Sequence, residues 1–388
     1  MSKKIKIGII LPALPNYSET FFYNKIKVLL KNGYSISLFV NNLQISNYLA
    51  LPVYPQAKVN KYYRLPFILL KLLFSRPIRV MKFLYLEYQT NISLVNSLKH
   101  LIINSHIIDK NLDWLHFGFA TMAINRENLS QAMGCKSAVS LRGYDIGLFP
   151  YKHSGCYKLL WEKVDKVHVI SNDLYDLALK NGLSRKTPVN KIMPAIDIKN
   201  FQYVEKDINK NSFKLLSVGR LTWKKGYEYA LRALKDLDVE GYDFSYQIIG
   251  SGKYYEAIKF LIYQLGLSSK VHLLGQVNHR EVIEKMKTSD IYIQPSIQEG
   301  FCNSVIEAQA MGLICIVTNA EGLSENIIDN YTGIVIPKRS SKDIVEAIKN
   351  VLSMEKRKLI EKRKNARNRV EKLFSLEKHQ KSFKIFYQ

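Results

Sequence analysis

The sequence predicts an α/β protein made of two Rossmann-like domains, each a doubly wound parallel sheet covered by helices. The first observation is the length, because 388 residues with a hydrophobic content of 47% can fill two cores of ordinary size. The second is a strand, helix and strand at residues 4–40, and the third is a new series of the same kind that begins at residue 213. Such alternation is typical of doubly wound sheets.

The first domain opens on a strand at residues 4–11, which becomes apolar on both faces, as expected in the middle of a parallel sheet. A helix is predicted from about residue 19 to residue 31, and Asn32-Gly33 ends it. Further strands are predicted at residues 35–40, 114–117, 137–141, 167–170 and 191–193. These elements place the first domain over residues 1–196.

Residues 197–212 are polar, charged and weakly periodic, which is typical of an interdomain linker. Strands are then predicted at residues 213–218, 244–249, 271–274, 290–294 and 313–318, with helices at 227–237, 254–265, 280–287, 304–311 and 340–352. We expect the second domain over residues 213–370 and a last basic helical segment over residues 371–388.

The charge is strongly positive and unevenly distributed. The formal net charge is +24, and over residues 1–110 fifteen Lys or Arg stand against three acids. Nucleic acid, an anionic membrane and anionic substrates are all compatible with such an excess. Nucleic acid is the least favoured, since no helix-turn-helix, RNP-type or zinc-finger signature accompanies the charge.

The cysteines and the apolar segments indicate the compartment. Four scattered cysteines form no C-x-x-C pair, which predicts neither a zinc site nor a disulfide framework and favours a reducing compartment. The apolar run at the start is too short for a signal peptide, and no uncharged run reaches the roughly 20 residues that cross a bilayer. We therefore expect a cytoplasmic protein, peripheral on the inner face of the membrane.

Residues 56–86 supply the reason for expecting a membrane. They interleave seven Lys or Arg with bulky apolar residues, a pattern typical of a segment that lies in a membrane interface. The alternative is a core helix that contains Ile68, Leu69, Leu72 and Leu73 and has a solvated basic face.

The most informative stretch is residues 290–311. A short apolar strand leads through a Gly-containing turn into a helix, so backbone N–H groups at the helix start are available for a phosphate or for sugar hydroxyls. Two carboxylates flank this turn, Glu299 before it and Glu307 inside the helix. Ser304 and Glu307 also fit a capping box, in which Glu307 only returns a hydrogen bond to the helix start.

This stretch resembles the Glu-x7-Glu motif of the retaining glycosyltransferases of family 4, which have the GT-B fold. The resemblance covers about residues 213–337, and its implied fold is two Rossmann-like domains that face a central cleft, with a C-terminal helix that crosses back to the first domain. The other matching segments are Val218-Gly219-Arg220-Leu221, Lys224-Lys225-Gly226, Ile249-Gly250-Ser251-Gly252, Gly322-Leu323-Ser324-Glu325-Asn326-Ile327-Ile328 and Gly333.

The resemblance implies a nucleoside-diphosphate sugar as donor and no required cofactor. Arg220 and Lys225 would neutralise the leaving diphosphate, which would replace a metal ion, and no Asp-x-Asp cluster for a metal is present. Glu299 would lie near the donor sugar, and Glu307 would accept hydrogen bonds from the ribose. The remaining donor-side candidates are Gly300, Phe301, Cys302, Asn303, Ser304, Gly250 and Gly252.

Candidates for the acceptor side lie mostly in the first domain. Ser18-Glu19-Thr20, at the start of the first helix, is similar to an element of colanic-acid and exopolysaccharide-type members, although Ser18 could simply cap the helix. Arg142 stands where the family commonly has a His, which supplies a permanent cation beside Asp145. His116 and Glu325 complete this group.

These observations predict a retaining glycosyltransferase that moves a sugar to a lipid-linked, polysaccharide or lipopolysaccharide acceptor. The expected chemistry is same-face transfer without a metal, because the sequence nominates no convincing carboxylate nucleophile for a double displacement. The alternative is a non-catalytic nucleotide-sugar-binding subunit of a polysaccharide synthesis complex.

Overall fold

The computed structural model describes residues 4–15, 19–42, 48–57, 65–205, 207–208 and 212–388. The chain divides into two compact units, of which the first comprises Met1–Ile192 with His379–Gln388 and the second comprises Met193–Lys378. Among the described residues, none of the helices combines the length and the apolar character needed to cross a bilayer.

The first unit is a parallel sheet in the order β3-β2-β1-β4-β5-β6-β7, so its strand order reverses between β1 and β4. Its strands are β1 Lys6–Leu11, β2 Ser35–Val40, β3 Val53–Pro55, β4 Trp114–Phe117, β5 Lys136–Leu141, β6 Lys166–Val169 and β7 Val189–Lys191. Its helices are α1 Thr20–Lys31, α2 Leu65–Ser75, α3 Pro77–Gln89, α4 Leu94–Ile103, α5 Ser105–Ile108, α6 Leu129–Met133, α7 Tyr144–Gly147, α8 Phe149–Lys152, α9 Lys158–Lys163 and α10 Asn172–Lys180.

The second unit is a parallel sheet in the order β10-β9-β8-β11-β12-β13, which reverses between β8 and β11. Its strands are β8 Ser212–Val218, β9 Asp243–Ile249, β10 Val271–Gly275, β11 Ile291–Gln294, β12 Ile314–Thr318 and β13 Ile334–Ile336. Its helices are α11 Tyr227–Val239, α12 Tyr255–Gln264, α13 His279–Thr288, α14 Asn303–Ala310, α15 Ser341–Ser353 and α16 Lys356–Leu373, after which α17 Leu376–Phe386 ends the chain's regular structure.

The core of the second unit forms for the reason that the sequence suggested. The side chains of β11 and β12 are buried on both faces, as expected when helices cover both sides of a parallel sheet. α11 contributes a stripe of buried residues at helical spacing, among them Ala230, Leu234 and Leu237. The prediction of two doubly wound α/β domains is therefore confirmed.

The end of the chain belongs to the first unit, as the resemblance implied. The hydroxyl of Tyr387 lies 2.7 Å from Nδ1 of the buried His116, and the Tyr387 ring packs edge-on against Trp114. The side chains of Phe383, Phe386 and Tyr387 are almost completely buried. The C-terminal helix α17 thus completes the core of the N-terminal sheet.

Some elements differ from the prediction. The helices α3 and α4 were not predicted separately, although Pro77 is a typical first-turn residue and marks the start of α3. The seventh strand runs from Val189 to Lys191 instead of over residues 191–193, because the residues that pair with β6 are those directly after Pro188. The first helix begins at Thr20, one residue later than predicted.

Candidate active site

The change of strand order in the second unit brings two loops together. In open parallel sheets, ligands bind at the carboxyl ends of the strands where the order reverses. Here the loop after β8 holds residues 219–226 and the loop after β11 holds residues 295–302. The Ile297 N–H donates to the Lys224 carbonyl at 2.6 Å, so the two loops are joined by their backbones.

Glycine lets neighbouring loops approach each other closely at two positions. Gly226 has a φ of +61°, and a Cβ there would lie 2.2 Å from the Pro295 carbonyl oxygen. Gly250 has a φ of +145°, and its Cβ would lie 2.0 Å from the Gly219 carbonyl oxygen. Any larger residue would therefore push these loops apart. For Gly250 this packing against Gly219 is a structural role beside the predicted contact with the donor.

Lys225 and Glu299 form an ion pair between these loops. The Lys225 Nζ lies 2.5 Å from Oε2 of Glu299, and the two side chains are 13% and 19% exposed. Burial by itself would lower the pKa of Lys225, but the Glu299 carboxylate outweighs it, and the pKa is raised. Lys225 is therefore a protonated cation at the switch point, while Arg220 is exposed at the end of β8.

The turn that follows Glu299 is held from both sides. Gly300, Phe301 and Cys302 are buried, and α14 begins at Asn303. The Cys302 N–H donates to Oδ1 of Asn326 at 3.2 Å, and the Asn326 amide returns a hydrogen bond to the Cys302 carbonyl at 2.8 Å. The Cys302 N–H, one of the groups expected to face the donor, is thus already engaged inside the protein.

Ser304 and Tyr292 fasten the start of α14 to the sheet. The Ser304 hydroxyl donates to the Val218 carbonyl at 3.0 Å and lies 2.7 Å from the hydroxyl of the buried Tyr292. The sequence reasoning missed Tyr292 as a site-forming residue, and it placed Asn326 in a matching segment without giving it a role. Tyr292 looked like one more apolar strand residue, and only the neighbouring strand shows what its hydroxyl contacts.

Glu307 lies on α14, one turn after Ser304, and is buried. Only 9% of it is exposed, and burial raises the pKa of its carboxyl group to about 7. No hydrogen bond between Glu307 and the start of the helix is present among the described residues, and Cys302 occupies the N-cap position. The capping-box interpretation is therefore wrong.

The acceptor-side candidates of the first unit are mostly occupied by internal contacts. Asp145 is buried and accepts hydrogen bonds from the backbone N–H groups of Ala120, Arg142 and Gly143 at 2.9–3.0 Å. It therefore ties the loop after β4 to the loop after β5.

Arg142 stacks on the start of α1. Its guanidinium carbon lies 4.1 Å from the centre of the Phe21 ring and 4.5 Å from that of Phe22. Burial lowers its pKa to about 10, against the opposing effect of the Asp145 and Glu19 carboxylates. The guanidinium thus remains a cation at neutral pH, and its Nε is buried and unpaired.

The other candidates differ in accessibility. His116 is completely buried on β4, whereas Thr20 is exposed in the first turn of α1 and Glu19 is partly buried before it. Ser18 lies outside the described residues. Glu325 is partly buried, and its carbonyl accepts a hydrogen bond from Arg369 at 2.6 Å.

No metal site accompanies these residues in the part of the chain that the structure describes. Within that part, nowhere do three His, Cys, Asp or Glu side chains come together in a way that could hold an ion.

A protein-family match covers most of the second unit. Residues 199–373 match the family described as glycosyl transferases group 1. The amylovoran biosynthesis glycosyltransferase AmsK of Erwinia amylovora is 25% identical over 358 residues, which cover 86% of this chain and 87% of that protein. The putative colanic acid biosynthesis glycosyltransferase WcaL of Escherichia coli is 25% identical over 269 residues, or 67% of this chain and 66% of that protein.

An uncharacterized glycosyltransferase of Methanocaldococcus jannaschii is 31% identical over 189 residues. That match covers 49% of this chain and 45% of that protein, so the chain spans about half the length of this archaeal relative.

A solved structure shows the same fold over the whole chain. HepE of Anabaena, in complex with UDP and glucose, superposes with a TM-score of 0.73 at 16% identity, covering 98% of this chain and 99% of that protein. With the sequence matches, this confirms the resemblance to exopolysaccharide-type glycosyltransferases. The chain therefore has the GT-B fold, and its residues 199–373 match the glycosyl transferases group 1 family.

Proposed function

We propose that the chain is a glycosyltransferase that transfers a sugar, with retention of the anomeric configuration, from a nucleoside-diphosphate sugar to a lipid-linked, polysaccharide or lipopolysaccharide acceptor. The observation that carries the proposal is the Lys225–Glu299 pair at the switch point, beside the N-terminus of α14. Two relatives are named for polysaccharide biosynthesis, and a structural neighbour was crystallised with UDP.

The proposed reaction has a diphosphate as its leaving group, which gains negative charge as the bond to the sugar breaks. The guanidinium of Arg220 and the ammonium of Lys225 would stabilise that charge without a metal ion. The acceptor hydroxyl oxygen forms a bond to the anomeric carbon, the bond from that carbon to the diphosphate breaks, and a phosphate oxygen takes the hydroxyl proton. Attack and departure on the same face of the sugar retain the configuration.

The two glutamates have separate proposed roles. Glu299 lies against the ammonium that would meet the diphosphate, so donor binding would place Lys225 between two anions. Glu307 is buried on the first turns of α14 and would accept hydrogen bonds from the ribose hydroxyls of the donor.

The experiment that tests the proposal is a panel of UDP-, GDP- and other nucleoside-diphosphate sugars offered to the purified full chain. Thermal shift reports binding, and diphosphate release with and without EDTA reports turnover and metal dependence. We expect one nucleotide class to give both signals, with the anomeric configuration of the product, read by NMR, equal to that of the donor. Binding without release would instead favour the non-catalytic subunit.

We also propose that the chain attaches to an anionic membrane surface through α2 and α3. Of the side chains described in α2, only Leu72 is buried, so the interpretation of α2 as a core helix is wrong. Phe74 and Ile78 are 85% and 80% exposed. The other strongly exposed apolar residues of this face are Phe67, Leu70, Leu73, Met81, Tyr85 and Tyr88.

Charge complementarity supports a lipid surface as the proposed occupant of this face. Lys71 and Lys82 are exposed on the same two helices, and each cation near an anionic bilayer contributes about 1 kcal/mol of attraction. So many exposed large apolar side chains on two successive helices are unusual on a monomer in water. Apolar insertion and cation attraction would therefore act together.

The test is sedimentation with vesicles that contain anionic lipid, at low salt. The double change Phe74→Ser and Ile78→Ser should reduce the vesicle-bound fraction at least about threefold. The matched control is Tyr263→Ser, since Tyr263 on α12 is 73% exposed but lies in the other unit. Equal retention of the double variant and the control would contradict the proposal, as would equal binding to neutral vesicles.

A further inference from the structure

Glu321 makes a contact that links it to the candidate site. It opens the 3-10 helix Glu321–Asn326, which follows β12. Its Oε2 accepts a hydrogen bond from the backbone N–H of Glu299 at 3.0 Å, and its Oε1 lies 3.0 Å from the Nζ of Lys338. One carboxylate therefore connects the loop after β11 to a lysine that follows β13.

The backbone of Glu321 is in an unusual conformation. Its φ is +38°, in the left-handed region that residues with a side chain rarely adopt. Glycine would adopt the same conformation without strain. Such strain persists where the surrounding structure holds it, and it is concentrated at functional sites. A charged residue stands here in the conformation that suits glycine, and its carboxylate has two partners.

The bond to the Glu299 N–H acts on the direction of the Glu299 side chain. Fixing the peptide unit before Glu299 restricts its φ and thereby the orientation of its Cα–Cβ bond. The Glu299 carboxylate contacts Lys225 at 2.5 Å, so the orientation of this bond decides where the ion pair lies. At the other end of the turn, Asn326 holds Cys302 in a comparable way.

The ion pair with Lys338 keeps the Glu321 carboxylate in place. The Glu321 and Lys338 side chains are 23% and 38% exposed, so the pair lies at the surface and is weak by itself. Its effect is to favour one rotamer of Glu321, the one that reaches the Glu299 N–H. The hydrogen bond to Glu299 is the stronger of the two contacts because a carboxylate accepts it from a partly buried amide.

We propose that Glu321 is a positioning residue, which holds the Glu299 backbone so that Glu299 and Lys225 are placed for the donor diphosphate. The catalytic part of this inference rests on the proposed function, whereas the restraint on the Glu299 amide does not. Glu321 acts through Glu299 and does not itself touch the donor.

The test compares four variants of the full chain: Glu321→Gly, Glu321→Gln, Lys338→Met and Glu240→Gln. Glycine removes the carboxylate and relieves the backbone strain together, so a loss of activity in Glu321→Gly cannot come from added backbone strain. Glutamine keeps an oxygen that can accept from Glu299 and serves as the isosteric variant that should fold. Glu240→Gln is the matched control, because it breaks a similar exposed carboxylate–lysine pair, with Lys349, at the end of α11.

Two readouts are needed. Hydrogen exchange of the Glu299 amide in the donor-free protein should be at least about tenfold faster in Glu321→Gly and close to wild type in Glu321→Gln. With the donor found in the panel, kcat of Glu321→Gly should fall roughly tenfold to a hundredfold while the donor KM changes less than about threefold. Lys338→Met should show a smaller fall in kcat, and Glu240→Gln should show none.

Unchanged exchange at Glu299 in Glu321→Gly would overturn the proposal, whether or not activity is found. Wild-type turnover in a variant with faster exchange would overturn the catalytic part. If the wild-type chain turns over no donor, the proposed function fails, but faster exchange at Glu299 would still establish the restraint.

Discussion

In the second unit, the loops after β8 and β11 bring Lys225 and Glu299 within 2.5 Å of each other at the edge of the sheet. In the first unit, His116 lies on β4 itself, and its ring faces the core. Its Nε2 lies 2.8 Å from the Nζ of Lys25 and 2.7 Å from the Ser140 hydroxyl, which lies 2.8 Å from Nδ1 of His168. Both units contain a parallel sheet, yet their polar residues near the strand ends have different surroundings. In the second unit these residues lie in loops at the edge of the sheet, and in the first unit they lie in the buried core.

The difference depends on whether the polar residue lies on the strand or in the loop after it. A side chain on a central strand points toward the covering helices, so it must find its hydrogen-bond partners inside the protein. A loop residue extends beyond the sheet, where backbone N–H groups of the next helix and solvent are within reach. For a polar residue on a strand, the face of the sheet on which its side chain lies therefore decides whether it can bind a ligand.

The largest expected effect is that of removing Lys225. Lys225→Ala should lower kcat/KM for the donor by about 100-fold to 1000-fold, because the cation that would stabilise the leaving diphosphate is lost. Its counterpart Lys25→Met removes a buried lysine of the first unit, and it should leave kcat/KM within about threefold while it changes the free energy of unfolding. Steady-state diphosphate release and chemical denaturation measure the two effects. Equal losses of activity in both variants would contradict the view that the loop lysine acts on the donor and the buried lysine does not.

Acid should destabilise the buried network of the first unit. Burial lowers the pKa of His379, on α17, to about 3, and it lowers the pKa of His116 and His168 well below the usual value. Since the folded state binds these protons more weakly than the unfolded state, stability is retained above pH 6.5 and lost as the pH falls below it.

Protonation of His379 should cost about 2 kcal/mol of stability at pH 5, and His116 and His168 should add to this loss. Urea denaturation between pH 5 and pH 7 measures this, and hydrogen exchange of α17 should report it locally. His379→Gln should reduce this loss of unfolding free energy at low pH by about the contribution of one histidine. A midpoint that does not change over this range would contradict the assignment of these rings as buried and neutral.

The smallest expected effect concerns Glu307. Its pKa is raised to about 7 by burial, so the carboxyl group ionises as the pH rises from about 6 to 8. The ionised form is the better acceptor for ribose hydroxyls, and the donor KM should therefore fall by about tenfold over this range. Glu307→Gln should show a KM that is high and independent of pH. A wild-type KM without such a trend would remove Glu307 from the donor site.

Much of the fold could be predicted from local patterns. The alternation of apolar strands with amphipathic helices is a property of neighbouring residues, and it located β8, α11, β9 and α14 to within about two residues. The segment with α2 and α3 was harder, since basic and apolar residues interleave both on a core helix and on a membrane-facing helix. The exposure of Phe74 and Ile78 argues against the core helix, and the membrane-facing helix stays a prediction.

The candidate site could be predicted only in part. Motifs in loops and at a helix start identified Arg220, Lys225, Glu299 and Glu307. This was possible because loops and helix starts are built from residues that are consecutive in the sequence. The contacts of Tyr292, Glu321 and Asn326 were not predicted, since their partners Ser304, Glu299 and Cys302 lie 12, 22 and 24 residues away. No local pattern marks a hydrogen bond across such a distance.

By itself, the sequence determined that two α/β units form, that Arg220, Lys225 and Glu299 stand in loops of the second and that Glu307 stands in a helix. Hydrophobic periodicity and turn residues act over a few positions, and they can therefore be recognised in the sequence. The tertiary structure alone decided that Lys225 meets Glu299, that Glu321 reaches the Glu299 backbone and that His116 faces inward. These depend on strand order and on packing between distant segments, which bring together residues that no spacing in the chain relates.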